Sequence, residues 1–102
     1  MKKKKPMEIV ADITAHVRDL GDSNDEWYAG IAADPPDRLF RRHRVRREDT
    51  DAWIVRKAAN EAKARKAEKR LLKDGFNGAP GGGDESTRFV YAYKMASHAS
   101  EQ

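Results

Sequence analysis

Apolar residues recur at helical spacing at Ile9, Val10, Ile13, Val17 and Leu20, with Pro6 placed to open the helix and Gly21 to stop it, which predicts one amphipathic helix near residues 7–20. A turn-rich bridge, Asp22 to Asp25, leads into Glu26 to Ala32. That segment is aromatic and β-branched enough for a short strand with Trp27, Ala29 and Ile31 on one face and Tyr28, Gly30 and Ala32 on the other. Glycine weakens a strand, so Gly30 implies a close approach by another group on the Tyr28 face. Asp34 caps a helix opened by Pro35 and Pro36, which carries Arg38, Leu39, Phe40, Arg42 and His43 and frays into the charged loop Arg44 to Asp51. Ala52 to Lys57 reads as a second strand, Asn60 as the N-cap of a long helix to Lys73 or Asp74, and Gly75 as its stop. After the glycine-rich loop Asn77 to Asp84, Arg88 to Lys94 alternates Phe89, Tyr91 and Tyr93 against Val90 and Ala92, a strand pattern.

The pattern predicts an α+β fold, a small three-stranded antiparallel sheet flanked by helices in the order α-β-α-β-α-β. Residues 7–94 form its single domain, 1–6 a solvated basic tail and 95–102 a frayed tail. A length of 102 residues suits one modest core.

Charge changes this picture in one direction. Lysine and arginine outnumber acids 21 to 17, for a net charge of +4, which favours a polyanion such as nucleic acid as partner. With no cysteine, disulfides, thiolate catalysis and cysteine-ligated zinc are excluded, and a cytoplasmic, intracellular setting is the natural expectation. The longest uncharged stretch, Trp27 to Ala33, is far too short to span a bilayer, so no membrane association is expected.

The candidate chemistry starts from a misplaced charge. At about 100° per residue the long helix has an apolar stripe of Ala64, Ala67, Leu71 and Leu72, and Glu68 falls inside it. A carboxylate there must be paired, protonated or bound to a cation. The structural alternative is an ion pair with an arginine such as Arg38, or simple exposure if the alanines leave the stripe shallow; the functional one makes Glu68 a ligand for Mg²⁺ (or Mn²⁺) completed by water and substrate phosphate. Phosphodiester hydrolysis also needs a group that positions or activates water and a cation at the scissile phosphate, and Tyr28, Arg38 and His43 are of those types. Each has a plainer reading: Tyr28 a half-buried sheet residue, Arg38 a surface charge, His43 a solvent-facing helix residue. His16 and His98 have no second ligand at zinc spacing. The stretch "GAPGGGD" lacks the lysine and serine of a nucleotide-binding loop and precedes a strand instead of a helix, so it reads as a connector.

Taken together, "WYAGIAADPPDRLFRRH" resembles the second strand and first helix of the GIY-YIG nuclease family. Tyr28-Ala29-Gly30 stands for the YIG element, Arg38 for the family's arginine and His43 for the helix His or Tyr. "AWIVRK" resembles the third strand, and "NEAKARKAEKRLLKDG" the helix bearing the metal-binding glutamate, which falls on Glu68; Asn77 matches the phosphate-positioning asparagine. The resemblance spans residues 26–78. His43 lies five residues beyond Arg38 where the family has four, leaving Arg42 at the usual place. The family's first strand, with its GIY tyrosine, has no counterpart ahead of Tyr28, but "FVY" in "RFVYAYK" is similar to it. A circular permutation is therefore expected, with the last strand beside Tyr28 and Tyr91, or failing that Tyr93, in the tyrosine role.

The resemblance implies a small divalent-metal-dependent endonuclease-type domain acting on DNA phosphodiester bonds. Tyr28, Arg38, His43 and Tyr91 would be catalytic, Glu68 would hold Mg²⁺, and Gly30, Arg42 and Asn77 would position phosphate. Target choice would come from DNA shape, a homodimer or a protein partner. The alternatives are a non-catalytic nucleic-acid- or protein-binding accessory protein on the same fold, as in a mobile element, and a purely structural interaction domain in which Glu68 pairs with Arg38.

Overall fold

The helix expected over residues 7–20 forms as α1, Pro6–Asp19, in a computed structural model that describes residues 1–79 and 86–95. Its apolar positions Ile9, Val10, Ile13 and Val17 are all buried, and Gly21, at φ 77°, lets the chain leave the helix in the left-handed region. Three strands follow: β1, Trp27–Ala32; β2, Trp53–Lys57; and β3, Phe89–Lys94. The second long helix, α2, spans Glu61–Lys73, and the Asn60 side chain caps it by accepting from the Lys63 N–H at 2.9 Å.

The strands form one antiparallel sheet in the order β1-β3-β2, so the last strand is central. On one side Tyr28 stands opposite Tyr93 and Gly30 opposite Tyr91; on the other, Trp53 faces Tyr93 and Val55 faces Tyr91. The alternation read from the sequence therefore sorts the side chains. Trp27, Ala29, Ile31, Ile54, Val90 and Ala92 point toward α1 and α2 and form the larger core with their apolar stripes. Tyr91, Tyr93, Ala32 and Val55 point the other way, to a smaller cluster under the segment between β1 and β2.

The sheet has little open edge. Asn77 continues alongside β1, its carbonyl accepting from the Ala29 N–H at 2.8 Å and its N–H donating to the Trp27 carbonyl at 2.9 Å. At the other edge, Lys3 bridges Lys57 and the Lys4 N–H donates to the Lys57 carbonyl at 2.8 Å. The lysine run read as a solvated tail is thus tied to β2 at residues 3 and 4. The Lys4 ammonium and the Arg56 guanidinium converge on Asp12 of α1 at 2.6 and 2.9 Å. A run of like charge cannot reveal this in sequence, since the anchoring bonds come from its backbone and from one acid eight residues on.

No helix among the described residues is long and apolar enough to cross a membrane. Most of the glycine-rich loop, including Gly81 to Asp84, and the tail with His98 lie outside the described residues.

Candidate active site

The helix expected after Asp34 is wound differently from the template. Asp34 does open it, its carboxylate accepting from the Asp37 N–H at 3.2 Å and its carbonyl from the Arg38 N–H at 3.1 Å. From Asp37 to Arg42, however, the backbone is a π-helix, and the His43 N–H donates to the Arg38 carbonyl at 3.0 Å. Closing the ring at i→i+5 brings residue i+5 back over residue i. The five-residue spacing of Arg38 and His43 is therefore one π-turn, and His43 takes the inward place that an α-helix would give to Arg42. Arg44, at φ 59°, ends the turn in the left-handed region, and the Val45 N–H reaches back to the Leu39 carbonyl at 2.9 Å.

His43 is accordingly no solvent-facing member of a basic helix: only 1% of its surface is exposed. Its two ring nitrogens lie between two tyrosines, Nε2 at 3.0 Å from the Tyr91 hydroxyl and Nδ1 at 3.0 Å from the Tyr93 hydroxyl. A neutral imidazole carries one N–H and one lone pair, so one tyrosine accepts from the ring while the other donates to it. Tyr28 closes the group, stacked on Tyr93 with ring centroids 5.2 Å apart and 5.1 Å from the His43 ring.

Gly30 explains how Tyr91 fits. A Cβ built at Gly30 would lie 2.5 Å from the Tyr91 hydroxyl and 2.7 Å from Cζ, so the ring occupies the space that any other residue would fill. The close approach inferred from a glycine inside a strand is made by the tyrosine of the neighbouring strand.

Glu68 is buried with the apolar stripe of α2, 3% exposed, and among the described residues no hydrogen bond or salt bridge reaches its carboxylate. The pairing with Arg38 offered by the structural alternative is absent from the salt bridges of the described residues. Burial raises the Glu68 pKa, opposed by the positive charges of Arg65 and Lys69. Burial also pushes the Tyr91 phenol far above its usual value; Tyr28 adds to the rise, the Arg38 guanidinium opposes it, and the Glu68 carboxylate adds to it again.

The structure brings Tyr28, Gly30, His43 and Tyr91 together on one face of the sheet; the side chains of Arg38 and Glu68 make no hydrogen bond or salt bridge to them among the described residues. Asn77 lies beside Tyr28 through its backbone, exposed, with its side-chain amide donating to the Asp25 carbonyl at 2.7 Å. Arg42 points away, 3.6 Å from Asp37 and 65% exposed. Tyr93, read as a substitute for Tyr91, is a member in its own right. The strand alternation that puts both tyrosines on one face was the available signal; the histidine between them was hidden by the α-helical template.

Among the described residues no three His, Cys, Asp or Glu side chains are grouped to hold a metal ion. A single buried carboxylate does not suit zinc, which takes three or four protein ligands. It does fit a hard cation such as Mg²⁺, which keeps several waters and takes phosphate oxygens from a substrate. No known protein family, curated protein or solved structure matches the chain.

Proposed function

We propose that the chain is a small divalent-metal-dependent endonuclease-type domain that hydrolyses DNA phosphodiester bonds, in line with the GIY-YIG resemblance and its permuted strand order. The observation that carries this reading is Glu68, a residue 3% exposed within the apolar stripe of α2 whose carboxylate is in no hydrogen bond or salt bridge among the described residues. An unpaired charge in such a place costs stability, and a cation ligand is the role that accounts for it.

Glu68 would hold Mg²⁺ or Mn²⁺, which when bound supplies charge neutralisation at the phosphate. Arg38 would contact the scissile phosphate and stabilise the negative charge that grows on its oxygens. The high pKa of Tyr91 argues against a free phenolate as base. Its hydroxyl would instead accept the proton of an attacking water while releasing its own to His43 Nε2, provided Nδ1–H donates to Tyr93. Tyr28 would pack the histidine, and Asn77, paired with Tyr28 through its backbone, would contact phosphate beside β1. A cytoplasmic setting suits this reading.

A second reading, a nucleic-acid-binding accessory protein without catalysis, is favoured by the exposed Arg44 and Arg46, which face solvent away from any catalytic role. Incubation with plasmid DNA and Mg²⁺ or Mn²⁺ separates the two. Cleavage by the parent, lost in Glu68→Ala and Arg38→Ala, supports the nuclease; binding by all three proteins with cleavage by none supports the accessory protein.

A further inference from the structure

The sheet face that carries Tyr91 continues on its β2 side into an open groove of about 280 Å³. Trp53 and Val55 of β2 and Phe89 of β3 line it from the sheet, and Leu39 and Phe40 from the π-helix. The three aromatic rings are half-buried, so each keeps surface for a further partner. Phe40 meets Trp53 edge-on with centroids 5.2 Å apart. The Arg47 guanidinium lies 4.4 Å from the Phe40 ring centroid, and its carbonyl accepts from the Trp53 indole N–H at 3.3 Å. Beyond Phe89, the Lys57 ammonium stands 5.7 Å from the ring. Next along the chain from the groove, Arg44 and Arg46 are exposed, and neither is in a salt bridge among the described residues.

An apolar groove walled by aromatic rings and rimmed by cations has a specific complement: a flat, uncharged ring system attached to a chain of negative charges. We propose that this groove binds an unstacked nucleobase of single-stranded nucleic acid, with Arg44, Arg46 and Arg47 on the neighbouring phosphates. Every base has a π-face, so stacking on Phe40, Trp53 or Phe89 is tolerant of sequence, while the bases of an intact duplex are already stacked on one another and do not enter. An apolar protein segment would gain nothing from the arginine rim, and its own positive charges would be repelled. The groove uses none of Glu68, Arg38, Tyr91 or His43, so it stands whether or not those residues cleave DNA. Where both hold, the substrate is a nucleic acid with an unpaired segment beside the bond to be cut.

Fluorescence anisotropy in EDTA tests this with three labelled probes of equal length: a single-stranded oligothymidylate, the corresponding A·T duplex, and a single strand of abasic sites that keeps the phosphates and lacks the bases. The oligothymidylate is expected to bind about tenfold or more tightly than the abasic strand, and more tightly than the duplex. It should also quench the fluorescence of Trp53, since Trp27 is buried on the other face of the sheet. Phe40→Leu, which keeps apolar volume but removes a ring, and Arg47→Ala, at an exposed site, should each reduce the preference for bases severalfold with thermal unfolding near the parent's. Equal affinity for oligothymidylate and abasic strand, no binding to either, or a preference untouched by both variants overturns the proposal and leaves the groove to another occupant such as an apolar peptide. Glu68→Gln should retain the full preference for bases. Loss of cleavage in that variant and loss of base binding in the groove variants are thus read separately.

Discussion

The two faces of the sheet are built from the same three strands yet solve different problems. Toward α1 and α2 the strands present Trp27, Ala29, Ile31, Ile54, Val90 and Ala92, and the helices answer with aliphatic and alanine side chains. At the edge of this face the Trp27 indole N–H donates to Asp22 at 3.0 Å, and Glu68 of α2 is the charged residue buried with it among the described residues. On the opposite face, alternate residues of the same strands present Tyr28, Tyr91 and Tyr93, and a single π-turn lowers His43 among them. The first face stabilises by area removed from water. The second holds polar groups in fixed geometry, which contributes less stability per residue and is fragile to the loss of any one member.

Substitutions should separate the faces. The largest effect is expected from Trp27→Ala, which empties a fully buried site on the helix face and should cost about 3–5 kcal/mol in urea unfolding, a large share of the stability of a domain of this size. Gly30→Ala comes next, at about 1–3 kcal/mol, because the new methyl must displace a Tyr91 ring that His43 holds in place. A cost well under 1 kcal/mol would mean that the ring is free to move and that the face is not rigid. Tyr91→Phe should cost about 1–2 kcal/mol by removing the hydroxyl that meets His43 Nε2 in the interior, and cleavage should fall at least about a hundredfold. Equal losses of stability without loss of cleavage would reduce this face to a second core.

The smallest effect is expected at the β2 edge. Hydrogen bonding from Lys4, aided by Arg56 against the cost of burial, holds the Asp12 pKa below its usual 3.8. A lowered pKa means stability present above the unfolded value and lost as pH falls through the folded one. Asp12→Asn should cost a few tenths to 1 kcal/mol at neutral pH and nothing in acid, release the amide protection of Lys4, and leave cleavage unchanged. A change in cleavage would connect the edge to the site in a way the packing does not show.

Much of this arrangement could be read from residue types. Helical spacing located α1 and α2, alternation located the strands and divided their faces, and the position of Glu68 within an apolar stripe marked it as a charge in need of explanation. Gly30 pointed to a close neighbour on the correct face. The winding of Asp37–Arg42 could not be read, because a template of about 3.6 residues per turn places Arg42 under Arg38 and leaves His43 outside. Only the backbone, one residue looser per turn, shows that His43 turns inward. The pairing of Tyr91 and Tyr93 with opposite nitrogens of that ring followed from the same hidden feature. The strap at Lys3 and Lys4 escaped for a different reason, since backbone pairing to an edge strand has no side-chain signature.

The most direct test of the central claim is Glu68→Gln, followed by both stability and cleavage. Burial raises the Glu68 pKa, so the folded chain holds the proton more tightly than the unfolded one, and the charge disfavours folding at neutral pH but not below the ordinary value of 4.5. If the carboxylate is kept for a cation, Glu68→Gln should unfold at a higher urea concentration than the parent at pH 7 in EDTA, with the advantage vanishing in acid. In Mg²⁺ or Mn²⁺ it should cleave DNA at least about a hundredfold more slowly. A variant that is no more stable at pH 7, and that cleaves as the parent does, would contradict the account.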